Sequence, residues 1–370
     1  MNHLYLHVPF CSRRCSYCDF AIAVRRELPA QAYVESIERE LHGAGEIGPL
    51  VTIYFGGGTP SKLPPNAVDA LLHRFASYAS AFTHLSGVEV TLEANPEDVT
   101  ATSAVAWRRA GINRVSLGAQ SFDDRALRWM HRTHDAPAIA AAVRALRAAG
   151  IENISLDLIF ALPDDLERVW NRDLDSALAL QPNHISLYGL TVEPRTPLDR
   201  WISRGATRPA GDDRYADEYL LAHERLGAAG FHFYEVSNAA RPGFESRHNS
   251  AYWTGRPYLG LGPSAHSYDG RARRWNLSAW EAYRRAISEG RSPVESEEVL
   301  TNDQRQLEAL YLGLRTRHGI PSTALHRPPP TRLISEGWLV RRDSRLSCTP
   351  QGWLRLDSIV AALTGGDQTL

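Results

Sequence analysis

Residues 11–18 read CSRRCSYC and hold three of the four cysteines in this chain of 370 residues. Their spacing is C-x3-C-x2-C, which chance placement of the cysteines would produce with a probability on the order of 10⁻³ or less. The N-terminus shows no secretory signal, and the cysteines are too few for a disulfide scaffold in a chain of this length. We therefore expect a cytoplasmic protein whose clustered thiols stay reduced and either bind metal or do redox work.

The chain around this cluster alternates short runs of β type with longer amphipathic stretches. The expected strands are His3–Val8, Val51–Phe55, Val88–Glu93, Arg114–Leu117, Ile154–Leu158 and His184–Leu187. The expected helices are Ala32–Leu41, Ala67–Tyr78, Val105–Ala110, Ala136–Ala149 and Trp170–Leu180, in which apolar residues recur at three and four positions. Six such units in succession predict parallel strands covered by helices, and hence an α/β fold. A barrel or a partial (β/α)6 barrel of the TIM type fits this pattern better than a sandwich.

Beyond the sixth unit this alternation weakens, and we expect three parts in the chain. Residues 1–235 form the barrel, residues 236–297 a connecting segment, and residues 298–370 a small C-terminal domain. The last part reads as a helix, a short strand, a tight turn, a second strand and a closing helix. This pattern predicts an α+β domain of winged-helix-like outline.

Polar or glycine-rich segments follow five of the expected strands. They are residues 11–18 after the first strand, GGGTPS (56–61) after the second, EANPE (93–97) after the third, GAQSF (118–122) after the fourth, and Asp157 at the end of the fifth. In barrels of parallel strands, reactive groups collect at the carboxyl ends of the strands. We therefore expect these five segments to meet at one face.

Overall charge excludes some classes of partner. The chain has 41 Lys and Arg residues against 42 Asp and Glu residues, so its formal net charge is -1. Such a balance offers no general attraction to nucleic acid or to an anionic membrane. No apolar run is long enough to span a bilayer, so we expect at most peripheral membrane contact.

The cysteine spacing itself leaves two kinds of centre open. A structural zinc site normally completes its tetrahedron with a second Cys or His pair, and the chain has no second cysteine pair. In a [4Fe-4S] cluster, three thiolates would leave one iron without a protein ligand. That open iron can bind an exogenous chelating molecule.

A C-x3-C-x2-C motif after the first strand of a βα array resembles the radical S-adenosylmethionine (SAM) superfamily. The resemblance implies a [4Fe-4S] cluster on Cys11, Cys15 and Cys18, with SAM on the open iron. It also implies that SAM contacts come from the matching positions, which are Tyr5, Tyr17, Gly57, Gly58, Thr59, Glu93, Gln120, Arg132 and Asp157.

The resemblance narrows to one group within the superfamily. The motifs YLHVPFCSRRCSYCDF, YFGGGTPS, EANP, RVSLGAQSF, HRTH and SLDLIFALP resemble the oxygen-independent coproporphyrinogen dehydrogenase group. That group contains the dehydrogenases and the HemW-type heme chaperones. Phe20 replaces a further cysteine of the dehydrogenases, the chain starts at the first strand without their N-terminal extension, and HNSAYW (248–253) matches a chaperone motif. These features favour the chaperones.

For heme, the resemblance singles out His248, Tyr252 and Trp253. An imidazole can coordinate iron, and the two aromatic rings can stack on a flat macrocycle. The alternative is that His248 is a hydrogen-bonded loop histidine and that the aromatic rings belong to the core. His266 is a second candidate with less support.

We therefore expect a protein that binds an iron–sulfur cluster, SAM and heme and passes heme to acceptor hemoproteins. The resemblance implies that these acceptors are respiratory hemoproteins. A flavodoxin or ferredoxin would supply electrons if SAM is cleaved, and we expect no coproporphyrinogen dehydrogenase activity. That dehydrogenase is the first alternative. A winged-helix nucleic-acid regulator, suggested by the basic run 341–345, is the second, although we expect no nucleic-acid partner. Cys348 reads as a buried, incidental thiol.

Overall fold

The computed structural model describes residues 1–44, 47–78, 87–325 and 327–365. The strands are β1 (His3–Val8), β2 (Phe10–Cys11), β3 (Ala23–Val24), β4 (Thr52–Gly57), β5 (Glu89–Ala94), β6 (Arg114–Gln120), β7 (Asn153–Phe160), β8 (His184–Gly189), β9 (His232–Glu235), β10 (Asn238–Ala240), β11 (Leu259–Leu261), β12 (His266–Tyr268), β13 (Ala272–Asn276), β14 (Val294–Val299), β15 (Ile320–Pro321), β16 (Leu339–Arg342) and β17 (Arg345–Cys348). The helices are α1 (Ala30–Gly43), α2 (Pro65–Tyr78), α3 (Ala101–Ala110), α4 (Asp124–Trp129), α5 (Ala136–Ala148), α6 (Trp170–Ala179), α7 (Pro197–Ser203), α8 (Asp212–Ala228), α9 (Arg247–Trp253), α10 (Trp280–Ser288), α11 (Asn302–Arg315), α12 (Thr331–Ser335), α13 (Pro350–Trp353) and α14 (Leu356–Thr364).

The main sheet contains all six expected strands and confirms the partial barrel. Its order is β11-β1-β4-β5-β6-β7-β8-β10-β9. Within this order, the six strands from β1 to β8 that were expected pair in parallel with one another. Helices lie between successive strands, as βα units require. The expected bounds are close to the observed ones. Helix α3 begins four residues earlier than expected because the Thr100 and Ser103 side chains form a reciprocal capping box at its N-terminus.

The strands alternate between an apolar outer face and a polar inner face. The outer face packs on the helices and includes Leu4, Leu6, Ile53, Phe55, Val90, Leu92, Val115 and Leu117. The inner face carries polar side chains that contact one another across strands, such as His3 with Thr52, Tyr54 with Glu93, and Ser116 with Asp157. Most parallel sheets are apolar on both faces. A polar barrel interior therefore indicates a site for function.

Two strands of segment 236–297 join the main sheet. Strand β11 pairs in parallel with β1, and β10 pairs in antiparallel fashion with β8. Between them, helix α9 lies at the amino ends of the barrel strands, because the backbone N–H groups of Arg247 and His248 donate to the Glu89 carboxylate at the start of β5, each at 3.0 Å. We call this end of the barrel, formed by His3, Thr52, Glu89 and α9, the floor.

The C-terminal part has the expected winged-helix-like outline. Helix α11 precedes a three-stranded antiparallel sheet of order β15-β17-β16, and α13 and α14 close the chain. It packs against the barrel side of the molecule, where Arg315 forms a 2.9 Å ion pair with the buried Glu235 carboxylate. Among the described residues, no helix is both long and apolar enough to cross a membrane.

Candidate functional site

A cavity of about 510 Å³ opens at the carboxyl ends of the barrel strands. We call this end of the barrel the mouth. Its wall contains all three cluster cysteines and eight of the nine expected SAM-contacting positions, which are Tyr17, Gly57, Gly58, Thr59, Glu93, Gln120, Arg132 and Asp157. The five polar segments therefore meet at one face, as parallel strands require.

The cysteine loop is held in place by contacts at both ends and at its middle. Strands β2 and β3 pair in parallel and bracket residues 12–22. The Ser16 backbone N–H donates to the Met130 carbonyl at 3.3 Å, and the Ser16 carbonyl accepts from the Leu198 N–H at 2.9 Å. The loop is thus fixed against two distant parts of the chain.

Each of two thiols contacts a polar neighbour in the cavity wall. The Thr59 hydroxyl donates to the Cys11 Sγ at 3.3 Å, and the Arg132 guanidinium lies 3.6 Å from the Cys15 Sγ. Such donors stabilise a thiolate once an iron atom has displaced its proton. Burial raises the pKa of Cys11, and it raises that of Cys18 to about 11.

The donor chemistry of this loop fits an iron–sulfur cluster. In the described ranges, no three His, Cys, Asp or Glu side chains converge on the position of a single metal ion. The three thiols instead share the wall of a cavity that is much larger than an ion. Three thiolates on one wall and open space opposite are what a cluster with one open iron requires.

The glycine run after β4 brings backbone close to the cysteine loop. A Cβ atom at Gly58 would lie 2.8 Å from the Pro9 carbonyl and 3.0 Å from the Cys11 Sγ. Gly57 has φ of 110° and faces the His7 ring, which a Cβ atom would approach to 2.8 Å. Only glycine fits at both positions. The backbone can therefore approach a small polar ligand in the cavity.

Two half-buried carboxylates lie at the mouth with no ion-pair partner in the described parts of the chain. Glu93 accepts hydrogen bonds from the Tyr54 hydroxyl at 2.8 Å and the Gly57 N–H at 3.2 Å. Burial is the main cause that raises its pKa to about 7, and the nearby Asp157 charge adds to it. A ligand ammonium would provide the missing partner for Glu93.

Asp157 is the second of these carboxylates. It accepts hydrogen bonds from the Ser116 hydroxyl at 2.9 Å and the Ser155 hydroxyl at 3.2 Å. Burial raises its pKa, and the hydroxyl donors and the Arg114 charge oppose that rise. The carboxylate lines the cavity, where a ribose hydroxyl could donate to it.

Arg132 connects three segments of the wall. Its guanidinium donates to the Asn95 side-chain oxygen at 2.6 Å and to the Gly118 carbonyl at 3.0 Å, besides its contact with Cys15. Although burial alone would lower it, the pKa of Arg132 is raised by the nearby Tyr17 and Cys15 groups. The side chain is therefore a fixed positive charge beside the cluster loop.

Tyr5 lies behind the wall. Its hydroxyl contacts the His7 Nδ1 at 3.1 Å, and its ring stacks on Tyr54 with centroids 6.2 Å apart. Its place on the inner face of β1 therefore puts it between the mouth and the floor.

The heme candidates of the HNSAYW motif lie at the floor, at the opposite end of the strands from the cavity. His248 is 1% exposed. Its Nδ1 contacts the Thr52 hydroxyl and its Nε2 the Tyr252 hydroxyl, both at 2.7 Å. Its ring stacks on Tyr54, with centroids 4.9 Å apart, and Trp253 packs under the Arg315 guanidinium. Heme ligation by His248 stays a prediction that requires one of these hydrogen bonds to open.

The neutral state of His248 has a clear cause. Burial, helped by the His3 and Arg114 charges, lowers its pKa to about 3. The other heme candidate, His266, is exposed and stacks on Trp275 with centroids 5.8 Å apart. Neither histidine is part of the cavity wall.

Several cavity residues were not singled out from the sequence. They are Asn95, Ser116, Gly118, His131, Tyr188, Leu190 and Glu193. Asn95 and Gly118 lie within the segments EANPE and GAQSF, so their place at strand ends was the available signal. His131 lies next to Arg132 in HRTH, and no spacing rule distinguished it from a surface histidine.

Two family models match the chain. The Radical SAM superfamily model matches residues 5–175, and the HemN C-terminal domain model matches residues 300–355. The first covers the cysteine loop and the strands of the mouth up to β7. The second covers most of the winged-helix-like part.

Curated relatives are similar over nearly the whole chain. Heme chaperone HemW of Mycobacterium tuberculosis (strain ATCC 25618 / H37Rv) is 38% identical over 98% of this chain and 94% of its own length. Heme chaperone HemW of Synechocystis sp. is 39% identical over 85% of this chain and 78% of its own length. Heme chaperone HemW of Escherichia coli (strain K12) is 32% identical, over 96% of both chains.

One solved structure supports the fold. Coproporphyrinogen III oxidase (HemN) from Escherichia coli, described as a radical SAM enzyme, superposes with a TM-score of 0.80. The match covers 100% of this chain and 91% of that chain at 20% sequence identity. At this identity the likeness establishes a shared architecture, including the C-terminal part.

Proposed function

The chain belongs to the heme chaperone HemW family of the radical SAM superfamily, and from this membership we propose that it binds heme and passes it to acceptor hemoproteins. The observation that carries the proposal is the similarity over nearly the full length to HemW proteins of distant bacteria. Phe20, 58% exposed at the cavity wall, supports it, because the dehydrogenases of the group carry a further cysteine there.

The proposed resident cofactors are a [4Fe-4S] cluster and SAM, and the cavity residues fit both. Cys11, Cys15 and Cys18 would hold the cluster. Glu93 would accept the ammonium of SAM, and the glycine run would receive its methionyl end. When bound, the cluster supplies an electron that can cleave SAM to a 5′-deoxyadenosyl radical.

In this proposal, the side chains of the protein orient the bound cofactors and enclose them. Arg132 fixes the positions of Asn95, Gly118 and the Cys15 thiol through a single guanidinium. Asp157, held by two serine hydroxyls, would orient a ribose. We place the protein in the cytoplasm, with respiratory hemoproteins as acceptors and with a flavodoxin or ferredoxin as electron donor if SAM is cleaved.

An anaerobic heme titration of the cluster-reconstituted protein, followed by transfer to an apo-hemoprotein, tests the proposal. We expect stoichiometric heme binding and loss of the bound heme to the acceptor. A parallel assay supplies coproporphyrinogen III, SAM and reductant. If protoporphyrinogen forms in that assay and no heme is transferred, the protein is a dehydrogenase and the chaperone proposal is wrong.

A further inference from the structure

Trp253, the last residue of the HNSAYW motif, contacts the C-terminal part of the molecule through Arg315, the last residue of α11. The Arg315 guanidinium lies over the indole ring, with its carbon 4.1 Å from the ring centroid. The indole Nε1 is buried and finds no hydrogen-bond acceptor among the described residues. The Tyr252 ring lies further away, with centroids 6.3 Å apart. The orientation of the indole therefore depends chiefly on Arg315.

The Arg315 side chain is in turn fixed by a carboxylate of the main sheet. Glu235 on β9 is fully buried, and its Oε2 lies 2.9 Å from the Arg315 Nε. The same carboxylate accepts hydrogen bonds from the Ser237 backbone N–H at 3.0 Å and from the Asn238 side-chain amide. A buried carboxylate without a cation is costly. The ion pair with Glu235 therefore holds the guanidinium in one position over the indole.

Backbone hydrogen bonds fix the end of α11 to the same edge of the barrel. The Val236 N–H donates to the Arg315 carbonyl, and the Arg317 N–H donates to the Tyr234 carbonyl, each at 3.1 Å. Thr316 forms an isolated antiparallel bridge with Glu235. The C-terminal part is thus joined to the main sheet at the residue that covers Trp253.

A ring held in this way is prepared for a flat ligand. The guanidinium is planar and stacks on an aromatic face, which restricts rotation of the indole. Trp253 is half-buried, so part of its ring stays accessible. A side chain that is already ordered loses less conformational entropy when a ligand binds to it. The contact between Arg315 and Trp253 therefore favours binding of a flat aromatic molecule against the indole.

We propose that Arg315 is a positioning residue of the heme site, which holds the Trp253 indole in the orientation that receives the macrocycle. This inference rests on the proposed function and on the predicted contact of Trp253 with heme. Arg315 belongs to the range 300–355 that the HemN C-terminal domain model matches. It follows that the C-terminal part contributes to heme binding through a barrel residue, without contacting heme itself.

The test is a ferric heme titration of the full-length, cluster-reconstituted protein, followed by absorbance and by circular dichroism in the Soret region. Arg315→Gln is combined with Glu235→Gln, so that no buried carboxylate is left without its cation. We expect about fivefold weaker heme binding and a smaller Soret dichroism, because the indole is no longer held against the macrocycle. Arg315→Lys keeps the charge beside Glu235 and loses the flat group, and we expect a loss of about threefold.

Trp253→Leu separates positioning of the indole from any direct contact of Arg315 with heme. If Arg315 acts through the indole, the two Gln substitutions should weaken heme binding no further in a Trp253→Leu background. Additive losses would overturn the inference. Wild-type heme affinity and Soret dichroism in both Arg315→Lys and the Arg315→Gln, Glu235→Gln protein would also overturn it.

Arg355→Gln is the matched control, because the Arg355 guanidinium also covers an indole of the C-terminal part, that of Trp338, at 5.0 Å. This variant should bind heme like wild type, and a loss equal to that of the Arg315 variants would contradict a role specific to Trp253. Iron and sulfide analysis should find the same cluster content in every variant. If wild-type protein binds no heme, the proposed function itself fails. If wild type binds heme and the Arg315 variants bind it equally well, only this inference fails.

Discussion

The mouth and the floor of the barrel are built from the same polar inner face of the same strands, yet their polar groups are satisfied in different ways. At the floor, Glu89 accepts two backbone N–H groups of α9, and His248 bonds Thr52 and Tyr252. At the mouth, Glu93 and Asp157 are half-buried and have no ion-pair partner in the described residues, and both face a cavity of about 510 Å³.

This difference separates polar groups that support the fold from polar groups that can bind a ligand. A buried polar group with all its partners supplied by the protein rigidifies the fold, whereas one that lacks a partner is available to a ligand. Tyr54 connects the two ends, because its hydroxyl donates to Glu93 and its ring stacks on His248. The following changes test how far the two ends are independent, beginning with the largest expected effect.

Replacing one of the three cysteines of the loop tests whether the mouth holds the iron–sulfur cluster. Cys18→Ala removes one of three ligands, so we expect the reconstituted protein to lose its iron–sulfur EPR signal and its SAM-dependent spectral change. Cys348→Ala is the control, because that thiol is buried in β17 and its pKa is raised to about 12 by burial. Equal cluster content in the two variants would contradict the assignment of the cysteine loop.

Truncating His248 at the floor tests whether this side chain supports the fold. His248→Ala leaves a cavity and deprives two hydroxyls of their partner, so we expect a loss of about 2–4 kcal/mol in the free energy of unfolding. Chemical denaturation measures it. His266→Ala, at an exposed position, should change stability little. If His248→Ala is as stable as wild type but loses heme, the histidine serves as a heme ligand rather than as a support of the fold.

The pH dependence of SAM binding tests the Glu93 carboxylate. Burial raises the pKa of Glu93 to about 7, and the ionised form is the one that attracts an ammonium. SAM affinity should therefore fall as pH drops below 7, by about tenfold per unit at the limit. The groups facing Glu93 are Tyr54, Asp157 and Arg114.

Calorimetric titration of reconstituted protein with SAM between pH 5.5 and 8.5, a range of about 1.5 units either side of that pKa, gives the measurement. Glu93→Gln cannot ionise, so its affinity should be weak and nearly constant over this range. A Glu93→Gln profile that still rises through pH 7 would assign the titration to another group.

Removing a single hydroxyl tests the connection between the two ends. Tyr54→Phe deletes the 2.8 Å hydrogen bond to Glu93 and keeps the ring on His248. Loss of that bond costs about 0.5–1.5 kcal/mol and raises the pKa of Glu93, so SAM affinity should fall a fewfold near pH 7 and its midpoint should shift upward. Tyr219→Phe is the control, since that buried hydroxyl donates to the Val236 carbonyl, and Tyr219 is not part of the cavity wall. Equal effects of the two changes would contradict a specific connection through Tyr54.

The sequence predicts the mouth well because its residues follow strands. Parallel strands bring their carboxyl ends together, so strand-end segments such as EANPE and GAQSF meet even without knowledge of side-chain positions. The floor was not predictable in this way. His248 reaches the barrel from α9, about 160 residues beyond Glu89, and only the folded chain shows that both of its nitrogens are occupied.

His131 illustrates the same limit at the mouth. Its accessibility depends on α7, which brings Trp201 to its ring from 70 positions further along the chain. Likewise, the strand β11 that pairs with β1 lies in a stretch that reads only as aromatic and glycine-rich. Contacts at such separations leave no periodic trace in the sequence.

The backbone contacts that hold the cysteine loop also imply an order in which parts of the chain fold during translation. The Ser16 backbone contacts Met130 and Leu198, and β1 gains its second neighbour only from residues 259–261. A ribosome exposes residue 11 long before it releases these partners, and such long-range pairing forms late in folding. The three thiols therefore leave the ribosome before the contacts that hold their loop can form, and we expect a cluster to be inserted only after residues 259–261 have been made.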